Sequence, residues 1–265
     1  MDIVALTALR SSVEEEAPRL AADLGLTPYD TGLLLRSAPP VLLLRTEERA
    51  RALALLARIR ERGHEAVACD AAAVVAADAM FHGRAPRFEV DALVVASANA
   101  ESERVAWVDV VAIVRAMHRT RSEHVEKSSE RKFSLGRAAM SGGVLLTKSV
   151  TQTTKHASEE REQVLYVFRR GGPPLFFTQS RTRYEGLGAD LRPSQMENFS
   201  TLIRLLRERA PNAVYDERLL APRPGLDRVR VGAVSGSVSA SSSDGIDLLA
   251  HLIALAGSRA AQPYR

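Results

Sequence analysis

The sequence is poor in cysteine and in aromatic residues, and each shortage excludes something. A lone cysteine in 265 residues, Cys69, rules out an intramolecular disulfide framework and a four-cysteine zinc site, and it fits a reducing compartment. Within EAVACDA it reads as a small apolar core residue. Aromatic residues make up 5% of the chain, and its most basic stretch holds only Phe133, so the stacking platforms of single-strand nucleic-acid binders are missing. No apolar run approaches the ~20 residues of a membrane span. The opening MDIVALTALRSSVEEEAPRL has no basic segment leading into an apolar one, so a cytoplasmic protein is expected. Charge of one sign is not in excess either: the net charge is +4, mild for a dedicated nucleic-acid binder. There is no internal repeat.

The chain does have a full complement of apolar residues, 46%, beside 26% charged, enough for a large core without staples. The first 76 residues predict one unit. IVALTAL (3–9) reads as a strand. SSVEEEAPRLAADLG reads as a helix, capped by Ser11 or Ser12, with glutamates in its first turn and Gly25 as its stop. Leu33 to Leu35 and Val41 to Leu44, on either side of SAPP, read as a hairpin or bent strand pair. TEERARALALLARIRERG is helical, with Thr46 as N-cap, Ala52, Leu55, Leu56 and Ile59 at apolar spacing and Gly63 as its end. EAVACDA supplies the last strand. This β-α-β-β-α-β order resembles a ferredoxin-like module.

Residues 77–90, broken by Gly83 and Pro86, read as a linker. Residues 91–222 predict a β-rich second domain. Leu93 to Val95 and Val105 to Val108 are strands, and Val110 to Met117 fits helix or strand. Two further runs, EQVLYVFRR and PLFFTQSRTRY, flank the short GGPP turn. LRPSQMENFSTLIRLLRERAP is a helix with a Ser194–Glu197 capping box and an apolar face of Met196, Phe199, Leu202, Ile203 and Leu206. Strands followed by one amphipathic helix, with Trp107 and Asp109 in RVAWVDVVAIV, resemble the bacterial pleckstrin-homology-like (GRAM-like) domains. The resemblance implies a curved, barrel-like sheet closed by the helix at 193–209. Residues 223–265 read as a Ser-rich linker and a short apolar helix from Asp244 to Gly257. The expected fold class is α+β.

Catalytic patterns fail one by one. SGGVLLTKS (141–149) imitates a phosphate-binding loop, but Thr147 replaces its second glycine and β-branched residues, not a helix, follow Lys148. Ser129 and Lys132 have nucleophile–base spacing in a segment with no apolar surroundings. The six histidines form no H-E-x-x-H, and His118 and His124 lie six apart in polar sequence. No G-x-S-x-G elbow or G-x-G-x-x-G fingerprint occurs; Gly186 and Gly188 belong to a loop. Asp109 and the Asp216, Glu217, Arg218 group read as solvated or interface residues. No catalytic residue, metal or cofactor is expected.

Two features could bind. Arg115, Arg119, Arg121, Lys127, Arg131, Lys132 and Arg137 could gather as an anion site, diluted by Glu123, Glu126 and Glu130. Ile246, Leu248, Leu249, Leu252, Ile253 and Leu255 form a sticky helix that could dock on this chain or on a partner. The expectation is a non-enzymatic scaffold, adaptor or regulatory subunit that works through protein contacts or self-association. The alternatives are a small-molecule-sensing regulator and a peripheral binder of anionic membrane or nucleic acid through Arg115 to Arg137.

Overall fold

The computed structural model describes the backbone of residues 1–133, 147–222 and 243–260, and side chains there outside 120–160, 243 and 259–260. The protein is α+β. The central strand of its first sheet is β1 (Asp2–Ala8), antiparallel to β2 (Val41–Thr46) on one side and β3 (Glu65–Asp70) on the other. A strand covered on both faces must be apolar on both. Accordingly, Val4 and Leu6 pack under the helices while Ile3 and Ala5 enter a second core.

Helix α1 (Val13–Leu24) begins at a Ser12–Glu15 capping box and stops at Gly25, whose φ of 70° costs glycine little. Helix α2 (Pro28–Leu35) follows, with Thr27 as cap and Pro28 in its first turn. The expected Leu33 to Leu35 strand is therefore a turn of helix. A Thr-Pro start outweighs a three-residue apolar run, and only Leu35 of the three is buried. Helix α3 (Arg49–Glu61) lays Ala52, Leu55, Leu56 and Ile59 on the sheet. Both β2 and β3 oppose β1, so they run parallel to each other and α3 crosses over between them. A helical hairpin, not a second strand pair, joins β1 to β2.

The expected linker is woven into two further sheets. It supplies β4 (Phe81–His82) and β5 (Ala85–Phe88); the latter forms a meander with β6 (Ala92–Ala96) and β7 (Ser102–Ala106). Trp107 to Asp109 then form a 3-10 turn in which Trp107 stacks on Phe88 at 5.8 Å, so Asp109 leaves the strand pattern. Val110 to Met117 is strand: their β-branched side chains prevail over their helical spacing. They open β8 (Val110–Phe133), which pairs with β9 (Thr147–Arg169) at the centre of a sheet ordered β11-β8-β9-β10-β4, where β10 is Leu175–Thr178 and β11 is Val214–Leu219. This sheet is open, with β11 and β4 at its edges; no pairing among the described residues closes it into a barrel.

Side-chain alternation buries both faces of the open sheet. Ala112, Val114, Ala116, Val164, Tyr166 and Phe168 join Ile3, Ala5, Val67 and Cys69 from the first sheet. Ile113, Leu165, Val167, Leu175 and Phe177 meet helix α4 (Gln195–Arg209) and the meander. The α4 capping box forms, and Phe199, Leu202, Ile203 and Leu206 are buried, whereas Met196 is 59% exposed and off the apolar face.

Helix α5 (Ser243–Ala260) fills the space between the first sheet and the open sheet, the second of the fold. Ile246, Leu248, Leu249, Leu252 and Ile253 are buried there and Leu255 packs at the margin. The expected partner-docking face is thus spent within the chain itself. Gly257 is not the stop either, since the helix runs through it. A Cβ at Gly257 would lie 2.5 Å from Val214 Cγ2, so glycine is what lets α5 approach β11.

Candidate functional site

Three groupings stand out: a two-stranded arm, buried polar clasps, and an arginine-lined cleft. The arm arises because β8 and β9 outrun their neighbours. Strand β11 pairs with β8 only as far as Ala116, and β10 pairs with β9 only from Val164 to Val167. Beyond that the two strands pair with each other in unbroken register to Phe133↔Thr147, a ribbon of roughly 50 Å at the usual rise per residue. No third strand among the described residues pairs with either outer edge.

Register sorts the basic stretch into two faces. Arg119, Arg121, Lys127 and Arg131 occupy one face of β8, and Lys155 and Arg161 on β9 share it through their pairing with Val125 and Arg119; Glu123 and Glu159 are the acids of that face. Glu126 and Glu130 take register positions of the opposite face with Glu160 and Glu162, where Lys132 pairs with Lys148 and His124 with His156 in the backbone register. Of the diluting glutamates expected from the linear sequence, register moves Glu126 and Glu130 to the other face and leaves Glu123, joined by Glu159, among the basic positions. Lys132 is separated from the other basic residues, and Arg137 lies outside the described residues. Arg115 is at the arm's base, where its Nε donates to Gln163 Oε1 at 3.1 Å and its Nη1 is 4.0 Å from Glu217. Thr147, Lys148 and Ser149 are strand residues, so no helix begins at Lys148 to receive a phosphate.

On the acidic side of the sheet, a clasp ties α5 down. Tyr166 OH donates to Asp247 Oδ1 at 2.6 Å, and Asp247 Oδ2 accepts from the Ala77 N–H at 2.7 Å. The tyrosine proton is thereby committed, so His118 Nε2, 2.6 Å from the same oxygen, is the donor to it. Burial dominates the titration of all three. It raises Asp247 to about 6, against the lowering by its two hydrogen bonds. It lowers His118 to about 4 and pushes Tyr166 well above its ordinary value. His118 and Tyr166 are thereby held neutral, and Asp247 keeps its proton up to about pH 6, because burial without a full counter-charge favours the neutral form. Asp216 and Arg218 make a separate local ion pair, Nη2 to Oδ2 at 2.6 Å, on the second sheet's β11 edge.

A second clasp lies in the N-terminal unit. Glu16, 1% exposed, receives Arg62 Nε at 2.8 Å and faces His64 Nε2 at 3.0 Å; Arg62 also reaches Asp23 at 2.9 Å. The backbone N–H of Arg10 donates to His64 Nδ1, which fixes the Nε2–H tautomer. Glu16→Ala would leave buried His64 and part-buried Arg62 without that acceptor. It is expected to cost about 3 kcal/mol in urea unfolding, the typical loss when one member of a buried ionic group is removed.

The cleft, of about 530 Å³, lies between Arg84, the segment after β10 and the entry to α4. Arg84, Arg181, Arg183 and Arg192 line it, with Glu185 as its one acid. Of its hydroxyls, Ser180 donates to the carboxylate of Glu162, and no histidine lines the cleft. No cluster of three or more His, Cys, Asp or Glu that could hold a metal occurs among the described residues. Linear sequence gave no signal for the cleft, because its arginines are scattered from 84 to 192 as single basic residues in loops. Nor did it mark the clasps, although Asp247 inside an otherwise apolar helix is a cue that a buried partner awaits it.

No protein-family model matches the chain, and neither a curated protein nor a solved structure matches it. What fold and site define together is an α+β protein with no membrane-crossing helix among its described residues, carrying a long two-stranded arm and a cationic cleft.

Proposed function

We propose that this chain is a non-enzymatic binding protein, a scaffold or regulatory subunit, that self-associates through the β8–β9 arm. The observation that carries the reading is the arm itself. Its two strands extend far past the sheet that anchors them, with both outer edges unpaired among the described residues. Such edges accept strands from a second chain. The faces are also complementary between copies, one basic and one acidic. The resemblance of 91–222 to pleckstrin-homology-like domains is retained within this proposal on its order of strands followed by α4, with an open sheet in place of a barrel. The likeness of the first unit to ferredoxin-like modules rests on its β2-α3-β3 crossover, and the lone Cys69 supports the cytoplasmic placement.

Replacing residues 119–161 by a two-residue Asn-Gly turn tests the proposal, because β8 and β9 keep their paired bases. Light scattering should give a multimer for the full chain and a monomer for the trimmed one. A monomeric full chain, or an unchanged multimer after trimming, overturns self-association through the arm. The register favours one second reading, contact of the basic face with anionic membrane or nucleic acid. That reading requires salt-sensitive binding that is lost on Arg121→Glu with Arg131→Glu and kept on Glu126→Lys with Glu130→Lys. The small-molecule-sensing alternative rests on the arginine cleft.

A further inference from the structure

We propose that the cleft lined by Arg84, Arg181, Arg183 and Arg192 is a binding site for a phosphate-bearing ligand that carries at least two negative charges. The distinguishing feature is that four guanidiniums share one concavity and none is ion-paired, while the nearby Glu162 is engaged by the Ser180 N–H and hydroxyl. Among the described residues, none of these four guanidiniums has a carboxylate within ion-pair distance or a side-chain hydrogen bond, and Glu185 is the one acid in the lining. Arg169, Arg204 and Arg104 are matched to Glu103, to Asp190 and Glu208, and to Glu89 and Asp91, and although Arg87, Arg170 and Arg209 also lack an ion pair among the described residues, they do not share the concavity of the cleft four. Four unmatched cations in one concavity repel one another, and the repulsion is relieved by a polyanion. Arginine forks suit phosphate oxygens two at a time.

The cleft is also built, with its backbone held in place by buried polar groups. The Arg183 N–H donates to Arg84 O at 2.6 Å, and the Arg84 N–H donates to Ala96 O at 2.8 Å, so two of the arginines are fixed to each other and to β6. Buried Thr182 donates to Thr178 O at 2.7 Å, and buried Tyr184 donates to Gln179 O at 2.8 Å. Buried Asn198 accepts from the Arg192 N–H at 2.6 Å and donates to Arg192 O at 2.9 Å. Gly186 pins the remaining wall, since a Cβ there would fall 1.9 Å from Pro86 O. The N-terminus of α4 opens on the same cleft through Gln195, which adds a favourable dipole to the side-chain charge. Polar groups fix the backbone while the guanidiniums are left uncommitted, and this is the division expected of a preorganised anion site.

The phosphate could belong to a soluble ester or to a lipid headgroup, and two probes separate these sources. Calorimetric titration of the full chain with inorganic pyrophosphate at low salt should show saturable binding. Arg183→Gln and Arg192→Gln, both at exposed side chains whose loss leaves the core intact, should each weaken it at least tenfold without changing the melting temperature of the ligand-free protein. If pyrophosphate does not bind but phosphatidylcholine vesicles doped with phosphatidic acid do, with the same dependence on Arg183 and Arg192, the site takes the headgroup form of the same ligand. Binding to neither probe overturns the proposal. So does binding that survives both cleft substitutions, or that is lost on Arg121→Glu, which would place the anion on the arm. The cleft result is independent of arm-mediated self-association, because trimming 119–161 should leave pyrophosphate binding in place.

Discussion

A chain ending before Ser243 should not fold. Helix α5 places Ile246, Leu248, Leu249, Leu252 and Ile253 between the first and second sheets, each at most 4% exposed. Five such side chains at about 1.5–3 kcal/mol each amount to roughly 10 kcal/mol, which is comparable to the whole stability of an ordinary domain. Their loss would also expose Ala5, Val67, Val114 and Phe168, which now line one continuous core. The expected result is loss of the cooperative thermal transition and rapid proteolysis. Leu252→Ala within the full chain should cost about 2–5 kcal/mol. A truncated chain that melts like the parent would show that α5 serves a partner and not its own body. The Ser-rich segment at 223–242 invites that partner reading from sequence, and the burial of α5 argues against it.

The pH response of the clasp should change sign with the residue removed. Asp247 titrates at about 6 when folded and near about 4 when unfolded. Its ionisation therefore opposes folding by about 3 kcal/mol above pH 6, and that penalty is relieved as pH falls from about 6 to 4. His118 runs the other way. It titrates at about 4 when folded and near about 6.5 when unfolded. The unfolded chain takes a proton that the folded chain refuses, so stability is lost as pH falls from about 6.5 to 4, again by about 3 kcal/mol.

In the parent the two contributions overlap and largely cancel. Each variant, compared with the parent at the same pH, removes the titration of the group it lacks, although the two groups lie 3.8 Å apart and share Tyr166. Asp247→Asn should fare better against the parent at pH 7 than at pH 4.5, and His118→Gln should fare better at pH 4.5 than at pH 7. Because His251, whose value burial also lowers, is present in parent and variants alike, it drops out of the difference. Urea unfolding across this range reads both, and equal offsets at the two pH values would refute the assignment. Glu162 near His118, and Asp244 and Asp78 near Asp247, shift both titrations upward without changing these signs.

Local sequence determined much of the secondary structure. The capping boxes at Ser12 and Ser194, the left-handed Gly25 and the spacing of Ala52, Leu55, Leu56 and Ile59 act within a turn or two of chain, so they are legible without tertiary context. One misreading was itself local, since Thr27 and Pro28 start the helix that carries Leu33 to Leu35. Another fell where a long-range partner decided. Gly257 stayed inside α5 because β11 approaches it.

Function depended still more on the tertiary structure. The sequence alone could state that basic residues crowd 115–137 and that 246–255 is apolar. Only strand pairing could send Lys132, Glu126 and Glu130 to one face and Arg121, Lys127 and Arg131 to the other, since a face is defined by register with a distant strand. Only packing could bury the apolar helix in its own chain and bring Arg84 beside Arg183 and Arg192. Charge and hydrophobicity are written residue by residue, but whether a charge is matched or an apolar face is free depends on what the fold places opposite it.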